Sequence, residues 1–116
     1  MDSSFDIKEF LSKSKKTIDH HKFQVAPMVD VTNSYFRVFF RLISENVLLF
    51  TEMIHSGSIV DPKTRDYKLK FFPVEKPIVL QIGGNNPEEL AEAAKIIEQY
   101  GYDEINLNCG CPSNKV

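Results

Sequence analysis

The sequence has little sulfur, no tryptophan and no long apolar stretch, and each of these gaps excludes a class of protein. Its 116 residues include two cysteines, Cys109 and Cys111, with a single residue between them. That spacing closes too small a ring for an easy disulfide, so a secreted disulfide scaffold is excluded and a reducing, cytoplasmic compartment is expected. No apolar run approaches the ~18 residues of a membrane span, so we expect no membrane partner.

An excess of one charge and a cluster of metal ligands are also lacking. The formal net charge is −2 and the pI is near 5.9, which excludes a nucleic-acid binder that works by bulk charge. The three histidines are far in sequence from the cysteines, so no metal site is expected. A local basic run favours a solvated surface but leaves RNA contact open; its members are Lys63, Arg65, Lys68 and Lys70.

What the sequence does contain is an alternation of short apolar runs with amphipathic segments. Alternating strands and helices, with continuous apolar strands, predict an α/β fold built on a parallel sheet. Residues 1–22 are polar and are interpreted as a leader extension, and residues 55–76 are predicted to be irregular. The predicted strands are 23–28, 47–50, 78–82 and 104–108.

Two helices are indicated by capping residues that precede apolar stripes. Thr32 or Asn33 is a suitable N-cap for the first helix, and Asn86 followed by Pro87 suits the second. Gly101 is the expected C-terminal stop of the second helix. The stripe of the first helix consists of Phe36, Phe39, Phe40 and Ile43, with Arg37 and Arg41 on another face.

Polar side chains end two of the predicted apolar strands. In parallel α/β folds, binding sites lie at the carboxyl ends of the strands. Gln81 follows the apolar residues 78–80, and Asn108 ends the fourth strand, where a buried amide needs a hydrogen-bonding partner. Either amide alone could bond a neighbouring loop. Two amides and the Cys111 thiol at one end of the sheet favour a shared ligand.

The Cys111 thiol is the candidate for proton transfer. It lies in a loop between Gly110 and Pro112, where a thiol is placed to donate or accept a proton. A cysteine taken alone is more often a small buried hydrophobic residue, and Cys109, closer to the strand, is interpreted as packing. The pair Gly83–Gly84 is interpreted as a turn rather than a phosphate loop, because neither a GxGxxG nor a Walker pattern is present.

Five ordered segments within residues 23–116 make the sequence resemble the tRNA-dihydrouridine synthases. The resemblance is greatest to the branch that modifies the D-loop around position 20. Cys109 stands where a small apolar residue is expected, which is a mild departure. The segments are VAPMVD at 25–30, LFTEM at 49–53, LQIGG at 80–84, GYDEINLN at 101–108 and GCPS at 110–113.

The resemblance implies a fold and a cofactor. The family's fold is a flavin-dependent TIM (β/α)8 barrel followed by a helical domain, so FMN is expected over the strand ends. By match to the family's motifs, Ala26, Pro27 and Met28 are expected to line the flavin. Gln81 is expected to hydrogen-bond the flavin ring.

The resemblance also implies a reaction on tRNA. Asn108 is expected to face the target uracil, and Cys111 matches the family's general acid. The implied chemistry is hydride transfer from flavin N5 to uracil C6 and a proton from Cys111 to C5, with NADPH recharging the flavin. The uracil must leave its stack to reach the flavin. Members of the basic run are hypothesised to contact tRNA phosphates.

The length bears on how much of such an enzyme is present. A full barrel needs roughly 250 residues, so four strands make about half of one. We therefore expect residues 23–116 to be the N-terminal half of an FMN-binding barrel and the complete enzyme to be a monomer. Two alternatives remain open: a different FMN barrel, such as one resembling dihydroorotate dehydrogenase, and a non-catalytic remnant.

Overall fold

The computed structural model describes residues 4–13 and 23–112. The leader residues 1–3 and 14–22, and Ser113 of the GCPS segment, lie outside the described residues. The strands are β1 (Gln24–Val25), β2 (Leu48–His55), β3 (Ile78–Gly83) and β4 (Glu104–Leu107). The helices are α1 (Ile7–Ser12), α2 (Ser34–Ile43), α3 (Ser56–Val60), α4 (Pro62–Leu69) and α5 (Pro87–Glu98), with a 3-10 turn at Pro73–Glu75.

The four strands form one parallel sheet in the order β1-β2-β3-β4. This confirms the predicted α/β fold on a parallel sheet, and the structure adds that the strands pair in chain order. β1 is shorter than the predicted strand 23–28, because Pro27 has no N–H and the N–H of Met28 donates to the Thr32 hydroxyl (N···O 3.0 Å). All four carboxyl ends therefore lie at one edge of the sheet, as the sequence predicted.

The apolar core lies between the sheet and the helices that cover one of its sides. Helix α5 begins as predicted, with the Asn86 side chain accepting from the N–H of Glu89 (3.0 Å) and Pro87 in the first turn. Gly101 follows this helix with φ 83°, a conformation that glycine adopts without strain. The buried core consists of Ile54, Ile59, Leu69, Leu80, Ile82, Ala93 and Ile97.

Helix α2 does not bury the stripe that the sequence predicts. Asn33 is its N-cap, as expected, because its side-chain oxygen accepts from the N–H of Phe36 (3.0 Å). Phe39 and Ile43 are nevertheless 61% and 66% exposed, and the buried side chains of the helix are Arg37 and Arg41. The arginines point inward because hydrogen-bond acceptors lie there: a buried carboxylate for Arg37 and backbone carbonyls for Arg41.

Arg41 joins three segments through its guanidinium. Burial lowers the pKa of this group, while the charges of Glu45, Glu75 and Asp103 act in the opposite direction. Nη1 donates to three carbonyls that follow α2, and Nη2 to two that precede β3. The acceptors are the carbonyls of Ser44 (3.4 Å), Glu45 (3.2 Å), Val47 (2.8 Å), Glu75 (3.0 Å) and Pro77 (3.2 Å).

The prediction that residues 55–76 are irregular is wrong, because this stretch contains α3, α4 and the 3-10 turn. Its prolines begin helical turns rather than break them. Pro62 opens α4 after the Asp61 cap, whose carboxylate accepts from the N–H of Lys63 (2.9 Å), and Pro73 opens the 3-10 turn. Within the described ranges, no helix is both long and apolar enough to cross a bilayer.

Candidate active site at the strand ends

The three amide side chains near the carboxyl ends of β3 and β4 form one hydrogen-bonded series. Gln81 lies opposite Asn106 in the β3–β4 register, and Asn108 is two residues further along, so all three share a face of the sheet. Gln81 Nε2 donates to Asn106 Oδ1 (2.7 Å), and Asn108 Nδ2 donates to Gln81 Oε1 (3.2 Å). The structure thus brings Gln81 and Asn108 together, and it adds Asn106 as a third member.

Asn108 also fixes the loop that carries the thiol. Its Oδ1 accepts from the backbone N–H groups of Gly110 (3.0 Å) and Cys111 (2.9 Å). Cys111 is half-buried beside this amide, whereas Cys109 is exposed. The interpretation of Cys109 as a packing residue is therefore wrong for the described chain. A single side chain connects the Cys111 loop to Gln81.

The loop after β1 holds the residues expected to line the flavin, and Thr32 fixes its backbone. Thr32 is fully buried; its hydroxyl accepts from the N–H of Met28 (3.0 Å) and donates to the carbonyl of Met28 (3.2 Å). The N–H of Thr32 donates to the same carbonyl (2.9 Å). Ala26 and Met28 are exposed and Pro27 is half-buried, so this loop presents its surface at the strand ends.

A buried ion pair lies behind that loop. Arg37 Nε donates to Glu75 Oε1 (2.6 Å), and Arg37 Nη1 donates to the carbonyl of Thr32 (2.6 Å). The second oxygen of Glu75 accepts from the Ser34 hydroxyl (2.8 Å) and the N–H of Phe72 (2.6 Å). Sequence reasoning missed this pair; the only signal was two arginines one turn apart in an otherwise apolar helix.

The middle of β2 supports both the first loop and β3. The strand continues to His55, so the prediction that it ends at residue 50 is wrong. The register of β2 against β3 shifts between Phe50 and Met53, which marks a bulge. Within it, the Thr51 hydroxyl oxygen accepts from the N–H of Gln81 (3.0 Å). Glu52 Oε1 accepts from the N–H of Asp30 (2.5 Å), whose φ is 63°. The bulge therefore places two consecutive polar side chains against two different neighbours.

Gly84 has a packing role. A side chain at Gly84 would collide with Ser56, and it would come within 3.3 Å of Leu90 Cδ2. The Ser56 hydroxyl in turn donates to the Glu89 carboxylate. The close approach of the segment after β3 to α3 explains Gly84. Gly83 is the last residue of β3 and pairs with His55, so the interpretation of the Gly83–Gly84 pair as a turn is wrong for Gly83.

The basic run lies on α4 and at its C-cap, Lys70, and is not uniformly available to a ligand. Arg65 folds back onto the preceding helix, where its guanidinium donates to the carbonyls of Ile59 (2.9 Å) and Val60 (2.7 Å). Lys63, Lys68 and Lys70 are exposed. Arg65 therefore uses its guanidinium in hydrogen bonds within the chain, whereas the other three basic side chains extend from the surface.

Among the described residues, the amide series retains hydrogen-bond donors that no protein acceptor uses. An amide NH₂ has two N–H groups, and Gln81 and Asn108 each use one of them within the series. The remaining N–H groups suit a ligand that offers carbonyl oxygens or ring nitrogens. A parallel sheet with such amides and a thiol at its carboxyl edge has the layout of an α/β barrel enzyme.

Comparison with known proteins identifies the family. The model for "Dihydrouridine synthase (Dus)" matches residues 24–116, and the chain belongs to the dihydrouridine synthase family. Dihydrouridine synthase domains are TIM barrels, and four parallel strands in chain order agree with the first half of one. The predicted family and fold class are both confirmed.

Similar proteins carry a common name. A protein of Escherichia coli O6:H1, named tRNA-dihydrouridine(20/20a) synthase, is 50% identical over 96 residues, which are 83% of this chain and 28% of that protein. Proteins of the same name from Pasteurella multocida and Xanthomonas axonopodis pv. citri are 50% and 47% identical, each over 82% of this chain and 28% of their own length. The chain therefore spans little more than a quarter of these relatives.

Proposed function

We propose that residues 23–116 form the N-terminal half of the catalytic barrel of an FMN-dependent tRNA-dihydrouridine synthase that uses NADPH. The relatives are named for activity at positions 20 and 20a of tRNA, and the 20-position branch is the one that the sequence motifs resemble. The proposed substrate is uridine in the tRNA D-loop, and the product is 5,6-dihydrouridine. The proposed barrel half begins at residue 23, after the leader extension.

The described residues fit a flavin. The free N–H groups of the amide series match the carbonyl oxygens and nitrogens of an isoalloxazine ring. Gln81 is the proposed ring contact, and Ala26, Pro27 and Met28 are the proposed lining. The loop of these three residues has its backbone fixed from behind by Thr32 and Arg37, which leaves its outer surface available to the flavin.

When bound, FMN supplies the hydride that uracil C6 receives; the residues of this chain position the base and move a proton. Asn108 Nδ2 has one N–H left for a uracil carbonyl. Cys111 is the proposed proton donor to C5. A positioned thiol can act as a general acid, giving its proton to the carbon next to the one that receives the hydride. The contact from the Cys111 loop to Asn108 Oδ1 places the proposed proton donor beside the amide that is proposed to bind the uracil.

The observation that carries this proposal is the double role of Asn108. One side chain contacts both the proposed flavin amide Gln81 and the loop of the proposed acid Cys111. A reaction in which hydride and proton reach adjacent carbons of one base needs these groups at one place. The hydrogen bonds of the amide series hold the proposed flavin contact next to the loop of the proposed acid.

The test is an assay of the FMN-loaded protein that carries this chain. Incubation with NADPH and an unmodified tRNA transcript is expected to convert a D-loop uridine to dihydrouridine, detected by mass spectrometry after nuclease digestion. A transcript with cytidines at positions 20 and 20a is the matched control and is expected to stay unmodified. Turnover of orotate or dihydroorotate without tRNA would favour the other flavin barrel. Flavin reduction without any modified tRNA would favour a non-catalytic remnant.

A further inference from the structure

The hydrogen-bonding direction of the amide series is fixed at its Cys111 end. The N–H groups of Gly110 and Cys111 only donate, and both point at the same Asn108 atom (3.0 and 2.9 Å). That atom must be the amide oxygen. The NH₂ group of Asn108 therefore faces Gln81, and the Gln81 atom that it meets at 3.2 Å must be an acceptor.

The constraint passes through Gln81 to the neighbouring strand. Since Oε1 of Gln81 faces Asn108, its NH₂ group faces position 106 and needs an acceptor there. Asn106 Oδ1 supplies it at 2.7 Å, the shortest contact of the series. If Gln81 were reversed, its NH₂ would face the NH₂ of Asn108, and two donors would oppose each other.

We propose that Asn106 is a positioning residue that holds the Gln81 amide in the orientation set by the Cys111 loop. This inference rests on the proposed function, in which Gln81 contacts the flavin ring. With the amide held, Gln81 presents a defined N–H and a defined oxygen lone pair to the ligand. One series of hydrogen bonds then fixes both the orientation of the proposed flavin contact and the position of the loop that carries the proposed acid.

Position 106 needs an acceptor rather than an amide, and this requirement gives the decisive variants. Asn106→Asp keeps an oxygen at that place, whereas Asn106→Leu removes it at similar size. Glu104→Leu is the matched control, because Glu104 is on the same face of β4, two residues earlier and opposite Val79.

The first measurement is independent of flavin. In NMR spectra of the 116-residue chain, the two side-chain N–H signals of Gln81 are expected to be well separated in the wild type, in Asn106→Asp and in Glu104→Leu. In Asn106→Leu they are expected to move towards the values of a solvated amide. Unchanged Gln81 signals in Asn106→Leu would overturn the inference.

The second measurement is the affinity for FMN of the protein in its flavin-binding form. Loss of one hydrogen bond corresponds to about a two- to ten-fold weakening for Asn106→Leu, with Asn106→Asp and Glu104→Leu within about two-fold of the wild type. Weakening by Asp as large as that by Leu would also overturn the inference. If the wild type bound no FMN, the proposed function would fail, while the NMR result would still decide the role of Asn106.

Discussion

Two loops at the same edge of the sheet are held in opposite ways. The loop after β1, residues 26–33, is fixed from the protein side by the buried Thr32 and by Arg37, which pairs with Glu75. The loop after β4, residues 108–112, is fixed from the ligand side, by the partly exposed side chain of Asn108. One support is out of reach of any ligand, and the other is part of the surface that a ligand would touch.

The difference separates two kinds of preorganisation. The proposed flavin-lining loop has its backbone set by the fold, whatever is bound. The proposed acid loop has its backbone set by the same amide that is proposed to hold the substrate, so the proposal couples substrate binding to the placement of the acid. Substitutions in the first support are expected to act on stability, and substitutions in the second on chemistry.

The largest expected effect tests the chemical side of this comparison. Cys111→Ala in the FMN-loaded protein is expected to lower dihydrouridine formation about 10²–10⁴-fold, because the proton donor is lost. FMN binding and flavin reduction by NADPH are expected to remain. Cys109→Ala is the control and is expected to have little effect, since Cys109 is exposed. If Cys109→Ala abolished activity while Cys111→Ala remained active, the assignment of Cys111 as the acid would be wrong.

The buried pair tests the structural side. Glu75→Ala leaves Arg37 buried without its partner, which is expected to cost about 3–5 kcal/mol of unfolding free energy. Urea denaturation of the chain measures it. Lys76→Gln is the control: Lys76 makes a partly exposed pair with Asp103 at 3.6 Å, and loss of such a pair is expected to cost less than about 1 kcal/mol. Equal losses in the two variants would mean that burial does not distinguish these pairs.

Thr32 connects the buried pair to the loop backbone. Thr32→Val keeps the size but removes the acceptor of the Met28 N–H, so a loss of about 1–3 kcal/mol is expected. Thr32→Ser keeps the hydroxyl and loses a methyl group, and is expected to be the more stable of the two. The urea midpoints of the two variants decide the question. A more stable valine variant would show that packing, rather than the hydrogen bond, holds this loop.

The smallest expected effect concerns the flavin contact. Gln81→Ala is expected to weaken FMN binding by about 0.5–1.5 kcal/mol, the net contribution of one hydrogen bond. Fluorescence titration of the apoprotein with FMN measures it. Gln99→Ala, at the exposed end of α5, is the control and is expected to bind as the wild type does. Unaltered binding in the Gln81 variant would remove this residue from the proposed cofactor site.

The sheet and its active edge could be predicted from sequence because local signals agree there. Apolar runs placed β2, β3 and β4, and a polar residue after each apolar run placed Gln81 and Asn108 at one edge. Helix α5 was predictable because the Asn86 cap, Pro87 and the glycine stop all point to the same boundaries. The hydrogen bond from Asn108 Nδ2 to Gln81 Oε1 confirms that the two amides meet.

The misjudged parts depend on partners that are distant in sequence. Helix α2 buries its arginines because Glu75 and the carbonyls near it accept their hydrogen bonds. These acceptors lie 30 or more residues away along the chain, so no local pattern in the sequence indicates them. Residues 55–76 contain Gly57, Pro62 and Pro73, which are typical of irregular segments, although Asp61 before Pro62 also suits a helix start. The contact between Asn106 and Gln81 depends on the β3–β4 register, which no local pattern in the sequence gives.

Arg41 has a consequence for how the fold opens. Its guanidinium binds carbonyls in the stretch that leads into β2 and in the stretch that leads into β3. Separating either stretch from the helix leaves buried acceptors without a donor, which is costly until water enters. The entry segments of the two central strands are therefore expected to unfold as one cooperative unit, with a shared opening free energy, although 30 residues separate Val47 from Pro77 along the chain.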